Sequence, residues 1–256
     1  MPFFDSDGVR IHYEIFGEGE PVLLLHGFAS NLRVNWVSTT WTGFLADHGF
    51  MVVAMDHRGH GESEKLYDPA LYRTSIMAED ARRLLDHLGI VSAAVMGYSM
   101  GARVAAFLAV NHPQRVGALV LAGMAGNLLH GVKDAEAIAA ALEAADPSRI
   151  ESPKARAFRQ FAEKTGSDLK ALAACMRAGR EPLLPEDLSL LTMPVLITVG
   201  ERDEIAGPPE PLARLIPQAE VVVLPGRDHM NAVGDRRHKE AVLDFLKRHG
   251  KGRAGG

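Results

Sequence analysis

A serine flanked by two glycines lies near the middle of the chain, in the stretch Gly97-Tyr98-Ser99-Met100-Gly101. An apolar run precedes this stretch, and a second one, MGARVAAFLAV, follows from its methionine onward. The pattern G-x-S-x-G between a strand and a helix suits a sharp turn that forces the serine outward, with its hydroxyl near the helix N-terminus. This context predicts that Ser99 is a nucleophile. A strand-to-helix turn without chemistry is the simpler alternative.

A serine nucleophile needs a general base, and the base needs an acid that orients it. Two later segments supply these groups after apolar runs: VLITVGERDEI carries Asp203, and VVVLPGRDHMN carries His229. We predict Asp203 as the acid and His229 as the base because of these positions. Three nearby carboxylates compete for the role of acid: Glu201, Glu204 and Asp228. Four other histidines, in or beside helical patterns, are predicted at the surface: His87, His112, His238 and His249.

A tetrahedral intermediate also needs hydrogen-bond donors for its negatively charged oxygen. The stretch VLLLHGFAS ends an apolar run at His26 and Gly27, so that the next backbone N–H, that of Phe28, can face the cleft. The second predicted donor is the backbone N–H of Met100, directly after the serine. Apolar residues beside these positions are predicted to bind substrate, with core packing as the alternative: Phe28, Met124, Leu128 and Met230.

The elements that must position these residues follow from hydrophobic patterning. Val9 to Phe16 alternates apolar and polar residues after Asp7-Gly8, which predicts an N-terminal hairpin with the strand at Phe3-Phe4. Short, nearly continuous apolar runs predict strands buried on both faces of a parallel sheet. They are Val22 to Leu25, Met51 to Met55, Ala93 to Met96, Ala118 to Leu121, Val195 to Val199 and Val221 to Leu224. Helical patterns between several of them predict an open, mostly parallel α/β sheet, and ligands bind at the carboxyl ends of its strands.

One region breaks this alternation. From Gly126 to Leu191 the patterns are helical only, which predicts a helical cap at 126–191 inserted into an α/β core formed by 1–125 and 192–256. The segment is several times longer than a crossover connection needs. Its basic residues could meet a substrate carboxylate, although a solvated helix face explains them more simply: Lys154, Arg156, Arg159, Arg177 and Arg180. The tail GKGRAGG is predicted to fray.

Composition excludes several classes of protein. The 256 residues include 32 acidic and 28 basic ones, so neither charge dominates and no nucleic-acid partner is expected. The single cysteine, Cys175, cannot form an internal disulfide. We find no signal-peptide pattern and no apolar stretch long enough to cross a bilayer, so we expect a cytoplasmic protein without a membrane partner. Composition does not set the oligomeric state.

The four segments GYSMG, HGF, GERD and GRDH, in their order along the chain, resemble those of the α/β-hydrolase superfamily in its serine-nucleophile branch. The stretch DHRGHGES, from Asp56 to Ser63, resembles the structural D-x-R-G-x-G-x-S loop of that family. The resemblance implies that the loop is scaffold and that His60 could lie near the site. It implies Ser99 as nucleophile, Asp203 as acid, His229 as base, and Phe28 and Met100 as oxyanion donors. Ala102 stands where a second glycine is often found.

The chain also resembles small, capped bacterial esterases and lactonases. This resemblance implies a carboxylic ester hydrolase for small or medium acyl esters, lactones or polyester oligomers, with a small-molecule ester as the partner. No cofactor is expected, because the chemistry needs none and the histidines show no metal-ligand spacing. GYSMGAR also resembles the menaquinone-pathway lyase and the ring-cleavage C–C hydrolases, which leaves that chemistry on a carboxylated metabolite as an alternative. A catalytically silent receptor on the same fold is another.

Overall fold

A single mixed β-sheet forms the centre of the molecule. The computed structural model describes residues 2–179 and 181–249, so Arg180 and the glycine-rich tail from 250 lie outside the described residues. The strands are Phe3–Ser6 (β1), Val9–Phe16 (β2), Glu20–Leu25 (β3), Phe50–Met55 (β4), Ala93–Tyr98 (β5), Val116–Ala122 (β6), Val195–Gly200 (β7) and Glu220–Leu224 (β8). Their order across the sheet is β1-β2-β4-β3-β5-β6-β7-β8.

The N-terminal hairpin is present as predicted. Strands β1 and β2 pair antiparallel, with Ser6 opposite Val9 across a two-residue turn. Asp7 and Gly8 in that turn both have positive φ, 57° and 80°. An Asp-Gly pair suits a tight hairpin turn because glycine and aspartate tolerate this left-handed backbone better than other residues. Strand β2 then pairs antiparallel with β4, and every later neighbouring pair is parallel.

The parallel strands are buried on both faces, as their continuous apolar runs predict. In β3, Leu23 and Leu25 pack into one apolar cluster, whereas Val22 and Leu24 pack into the other. The helices are Trp41–Ala46 (α1), Thr74–His87 (α2), Met100–Asn111 (α3), Ala135–Glu143 (α4), Pro153–Lys164 (α5), Leu169–Arg177 (α6), Pro185–Ser189 (α7), Glu210–Ala213 (α8) and Arg236–His249 (α9). Helices α2 and α3 cover one face of the sheet, and α1 and α9 cover the other. The predicted mostly parallel α/β fold is confirmed.

Between β6 and β7 the chain forms helices α4 to α7. Two of these helices have an N-cap side chain. Ser152 accepts a hydrogen bond from the Ala155 N–H at the start of α5, and Asp168 accepts one from the Ala171 N–H at the start of α6. Helices α4, α5 and α6 share an apolar cluster of their own, which also takes in Ala29 from the loop after β3. We call these three helices the cap.

The end of the same segment packs differently. Leu183, Leu188 and Leu191 are buried in the apolar cluster of the sheet and not in that of the cap. The division of the chain into a core and a cap at 126–191 stays a prediction, and this packing argues for an earlier end of the cap. Within the described residues, no helix has the length and apolarity that crossing a bilayer requires.

Candidate active site

Ser99 lies at the tight turn between β5 and α3. Its backbone has φ 55° and ψ −114°, a conformation that costs free energy for a residue with a Cβ atom. A Cβ atom on Gly97 would overlap the carbonyl of Gly101, and one on Gly101 would overlap the carbonyl of Leu25. The two glycines therefore allow α3 to begin directly against the ends of β3 and β5. This close packing turns the Ser99 side chain out of the sheet.

Asp203 follows β7 and is buried. Its Oδ1 accepts hydrogen bonds from the backbone N–H groups of Ile205 and Ala206, at 3.0 and 2.9 Å. These two donors hold the carboxylate in one orientation. Two of the three competing acids have other contacts: Glu201 accepts from the Gly226 N–H, and Asp228 accepts from the N–H groups of its own turn.

His229 follows β8 and joins the other two side chains. Its Nδ1 lies 2.9 and 3.0 Å from the carboxylate oxygens of Asp203, and its Nε2 lies 3.0 Å from Ser99 Oγ. Because a carboxylate can only accept, Nδ1 carries the proton and Nε2 accepts the hydrogen bond from the Ser99 hydroxyl. The structure thus brings together all three residues that the sequence predicts.

Two further contacts fix the loops that carry the acid and the base. The Arg202 N–H donates to the Arg227 carbonyl at 2.8 Å, and the Tyr98 hydroxyl donates to the His229 carbonyl at 2.6 Å. Burial, with Asp203 and Asp228 nearby, raises the pKa of Tyr98 well above its ordinary value. The phenol therefore stays a neutral donor to the histidine loop.

The loop after β3 lies beside the serine. A Cβ atom on Gly27 would lie 3.5 Å from the Cβ of Ser99, and the Gly27 N–H donates to the buried Asn35 side chain at 3.1 Å. The Gly27 carbonyl lies 2.8 Å from His26 Nδ1. His26 Nε2 accepts from the His57 N–H at 3.0 Å, so Nδ1 carries the proton and donates. Burial lowers the pKa of His26, which keeps the ring neutral.

This arrangement orients the next peptide group. In a trans peptide the N–H of Phe28 points opposite to the Gly27 carbonyl. That carbonyl accepts from His26 Nδ1 and from the Ser30 N–H, so these two donors also set the direction of the Phe28 N–H. Met100 is the first residue of α3, so its N–H lies at the start of that helix, directly after Ser99. Both predicted oxyanion donors therefore stand on backbone next to Ser99.

The Asp56–Ser63 loop braces these segments. The Asp56 carboxylate accepts from the Leu32 N–H at 2.7 Å, the Glu62 N–H at 2.9 Å and His12 Nδ1 at 2.8 Å. Arg58 forms a two-pronged ion pair with buried Asp80, with both N···O distances 2.7 Å. Such contacts are typical of a loop with a structural role. His60 is buried, contacts the Phe28 ring edge-on and does not line the cavity described next.

A cavity of about 500 Å³ opens onto Ser99. Of the predicted substrate-binding residues, Phe28 and Met124 line it, but Leu128 and Met230 do not. Leu128 is fully buried in the core, and Met230 is 58% exposed. Sequence reasoning did not single out most of the remaining wall, which comprises Arg103, Asn127, His130, Gly131, Val132, Lys133, Phe158, Met176 and Ile205. Lys154, predicted as a basic cap residue, and Glu204, considered only as a competing acid, complete the wall.

The cap arginines do not converge on Ser99 among the described residues. Arg156 donates to the Ile150 carbonyl, and Arg177 pairs with Glu136 and Glu143. Buried Arg159 bonds to cap carbonyls and to a neighbouring glutamate. Basic side chains occur both in the cavity wall and elsewhere in the cap. Residue type therefore does not predict which of them line the cavity, and only their position in the fold does.

One surface prediction is wrong. His238 is buried between α9 and the sheet, where its Nε2 lies 2.9 Å from Thr198 Oγ1 and its Nδ1 lies 3.0 Å from the Ala232 carbonyl. Two polar partners allow a histidine inside a core, and the helical pattern alone cannot reveal them. Within 2–179 and 181–249, the His, Cys, Asp and Glu side chains form no cluster of three or more suited to a metal ion.

Comparison with known proteins places this chain in a family. The α/β hydrolase fold family matches residues 20–149, just over half of the chain. The dihydrolipoyllysine-residue acetyltransferase component of the acetoin cleaving system of Pseudomonas putida is 32% identical over 255 residues. That alignment covers 93% of this chain, which spans 66% of the length of the curated relative.

Solved structures give the same result. A hydrolase from Pseudomonas aeruginosa PA01 has a TM-score of 0.79 and 27% identity, covering 96% of this chain and 97% of its own. A thermophilic esterase from Thermogutta terrifontis has a TM-score of 0.75 and 27% identity, with 96% of each chain covered. The chain therefore belongs to the α/β-hydrolase superfamily. These similarities support a hydrolase of that fold.

Proposed function

We propose that the protein is a carboxylic ester hydrolase that works through an acyl-enzyme on Ser99. In this proposal His229 is the general base, Asp203 orients it, and the backbone N–H groups of Phe28 and Met100 bind the oxyanion. One observation carries the proposal. Ser99 Oγ, at a strained turn, lies 3.0 Å from the His229 nitrogen whose partner nitrogen faces buried Asp203.

The reaction then proceeds in two halves. His229 Nε2 takes the proton of Ser99 as Oγ attacks the acyl carbonyl, and the carbonyl oxygen becomes an oxyanion. The tetrahedral intermediate collapses when His229 passes that proton to the leaving alkoxide, which releases the alcohol and leaves the acyl group on Ser99. Water then attacks the acyl carbon as His229 takes its proton. The second tetrahedral intermediate collapses when His229 returns that proton to Ser99 Oγ, which releases the acid and restores the serine hydroxyl. Asp203 stabilises the imidazolium in both halves.

The cavity walls indicate the substrate. Phe28, Met124, Phe158 and Met176 present apolar surface beside Ser99, and the volume of about 500 Å³ suits a small or medium ligand. Phe28 and Phe158 meet edge-on, with ring centroids 5.9 Å apart, so the loop after β3 and the cap form one wall. We therefore infer an ester with a largely apolar acyl or alcohol group. Lactones and polyester oligomers fit the same description.

C–C bond hydrolysis of a carboxylated metabolite is the alternative within this fold. It requires cationic cap residues that converge on Ser99. The described cap arginines instead bind cap carbonyls and carboxylates, which argues against it. Lys133 and Lys154 do line the cavity, and an experiment in the Discussion tests their role.

A panel of p-nitrophenyl esters from acetate to decanoate tests the proposal. We expect turnover with an optimum at short or medium chain length, and labelling of Ser99 by a fluorophosphonate probe. Ser99→Ala should abolish both, whereas Ser148→Ala, a matched change at an exposed cap serine, should leave both unchanged. Folded protein that neither hydrolyses any ester nor reacts with the probe would refute the proposal and favour a silent receptor.

A further inference from the structure

The loop that carries the Phe28 N–H is held from two sides. On the side of the sheet, His26 and Asn35 bind Gly27, as described above. On the other side, the Thr165 hydroxyl, directly after α5 of the cap, donates to the Ala29 carbonyl at 2.8 Å. We propose that Thr165 is a positioning residue that couples docking of the cap to assembly of the oxyanion hole. This inference rests on the proposed function.

The contact between Thr165 and Ala29 is part of a small network. Ser167 Oγ lies 2.9 Å from Thr165 Oγ1 and 3.4 Å from the Ala29 carbonyl. Thr165 Oγ1 also lies 3.0 Å from the Ala162 carbonyl, but its contact to Ala29 is the shorter one. A Ser167 hydroxyl that donates to Thr165 Oγ1 leaves the Thr165 proton directed at Ala29. The cap thus presents an oriented donor to the loop.

Ala29 needs such a partner. Its φ is 58°, in the left-handed region that an alanine side chain disfavours, and the residue is fully buried. Its methyl group packs in the apolar cluster of the cap, and the adjacent Phe28 ring meets Phe158 of α5. The Ser30 N–H donates to the Gly27 carbonyl at 3.2 Å and closes a turn around Phe28 and Ala29. This turn and the contacts with the cap together hold the disfavoured conformation of Ala29.

This arrangement has a consequence for catalysis. If α5 lifts to admit substrate, the Ala29 carbonyl loses its donor and Ala29 can relax toward negative φ. That relaxation opens the turn from Gly27 to Ser30, so the Gly27 carbonyl loses the Ser30 N–H as a donor. The Gly27–Phe28 peptide group can then rotate and move the Phe28 N–H away from the oxyanion position. The transition state then loses a donor that the ground-state ester does not need, so the loss should fall on kcat and not on KM.

Thr165→Val tests the coupling because it keeps the shape of the side chain and removes the hydroxyl. We expect kcat for p-nitrophenyl butyrate to fall by about tenfold, a fraction of the loss when a whole oxyanion donor is removed. KM should stay within about twofold. The affinity for a trifluoromethyl ketone, whose adduct with Ser99 carries an oxyanion, should fall in parallel with kcat. Thr165→Ser, which keeps the hydroxyl, should restore most of both.

Two outcomes would overturn the coupling. Unchanged kcat in Thr165→Val refutes it, and so does a rise in KM without loss of trifluoromethyl ketone affinity. Ser167→Ala supplies a milder variant should Thr165→Val fail to fold, with a smaller loss of kcat expected and an unchanged kcat counting against the proposal. A wild-type protein inert toward every ester and toward fluorophosphonate would instead refute the proposed function, and the coupling with it.

Discussion

Two regions hold their side chains by different means: the carboxyl ends of the parallel strands, called the sheet edge below, and the cap. At the sheet edge, Ser99, Asp203 and His229 each lie within five residues of a strand end, and backbone contacts within short loops fix them. In the cap, long arginine side chains tie helices to one another. Arg159 Nη1 donates to three carbonyls at the C-terminal end of α4, each at 2.9 Å. The catalytic residues at the sheet edge can therefore keep their arrangement while the sequence of the cap varies.

The largest expected effect concerns the edge. Asp203→Asn should lower kcat by about 10⁴-fold, because an amide in place of the carboxylate favours the wrong tautomer of His229. Asp228→Asn is the matched control, since Asp228 binds only its own turn among the contacts described above and should cost little activity. Steady-state kinetics with p-nitrophenyl butyrate would measure both. Equal losses in the two variants would mean that the acid is misassigned.

The corresponding test of the cap is Arg159→Met. It removes the donor to the buried carbonyls of Ala141 and Leu142, and we expect the free energy of unfolding to fall by about 2–3 kcal/mol. Urea denaturation would measure this loss, and limited proteolysis should cut within the cap before it cuts the sheet. Arg149→Met, at an exposed arginine, is the control. Unchanged stability of Arg159→Met would show that the cap does not depend on this residue.

Above the pH range in which carboxylates titrate, acid should affect the core and not the cap, because residues 131–191 contain no histidine. Burial lowers the pKa of His238 from 6.5 to about 4 and that of His60 from 6.5 to about 3. Below pH 6.5 these two histidines are protonated in the unfolded chain but stay neutral in the folded core. Stability is therefore full above pH 6.5 and is lost as the pH falls toward 4, by about 3 kcal/mol for His238 alone.

Urea denaturation between pH 7 and pH 4 checks this linkage. In His238→Gln the loss of stability over that range should be smaller than in the wild type. His48→Gln, at an exposed histidine of the same core, is the matched control and should not change the pH dependence. A pH dependence identical in all three proteins would mean that the buried His238 ring does not set acid stability.

The smallest expected effect concerns the two lysines of the cavity. Replacing Lys133 and Lys154 by methionine should lower kcat/KM for p-nitrophenyl hemiglutarate by about threefold relative to p-nitrophenyl butyrate, since exposed charges attract weakly. High salt should remove the difference. Lys170→Met is the control, because Lys170 lines a different cavity. An unchanged ratio would mean that these lysines are solvated and do not select a carboxylated substrate.

The difference between local contacts at the sheet edge and long-range contacts in the cap explains which features could be predicted from the sequence. Strands and the Asp7-Gly8 hairpin depend on local patterns, and the residues of the site follow strands that the patterns locate. Ser99, Asp203 and His229 could therefore be found without a structure, and their distances show that the side chains meet.

Contacts between distant segments could not be predicted. The burial of His238 depends on Thr198, which lies 40 residues away in the sequence. Likewise, Leu128 faces the core from a short 3-10 helix at Gly126–Leu129, while Val132 beyond it lines the cavity. One helical turn is too short for a hydrophobic period to sort these apolar residues by side. Arg159 and Arg177 resemble any exposed cap arginine until the carbonyls and carboxylates around them are known.

The contact between the loops after β7 and β8 also limits how this protein can diverge. The Arg202 N–H binds the Arg227 carbonyl, and a Cβ atom on Gly200 would overlap that same carbonyl. An inserted or deleted residue in either loop would therefore displace both Asp203 and His229. We expect related sequences to vary in length between β6 and β7 far more than in these two loops, whose lengths should change only together.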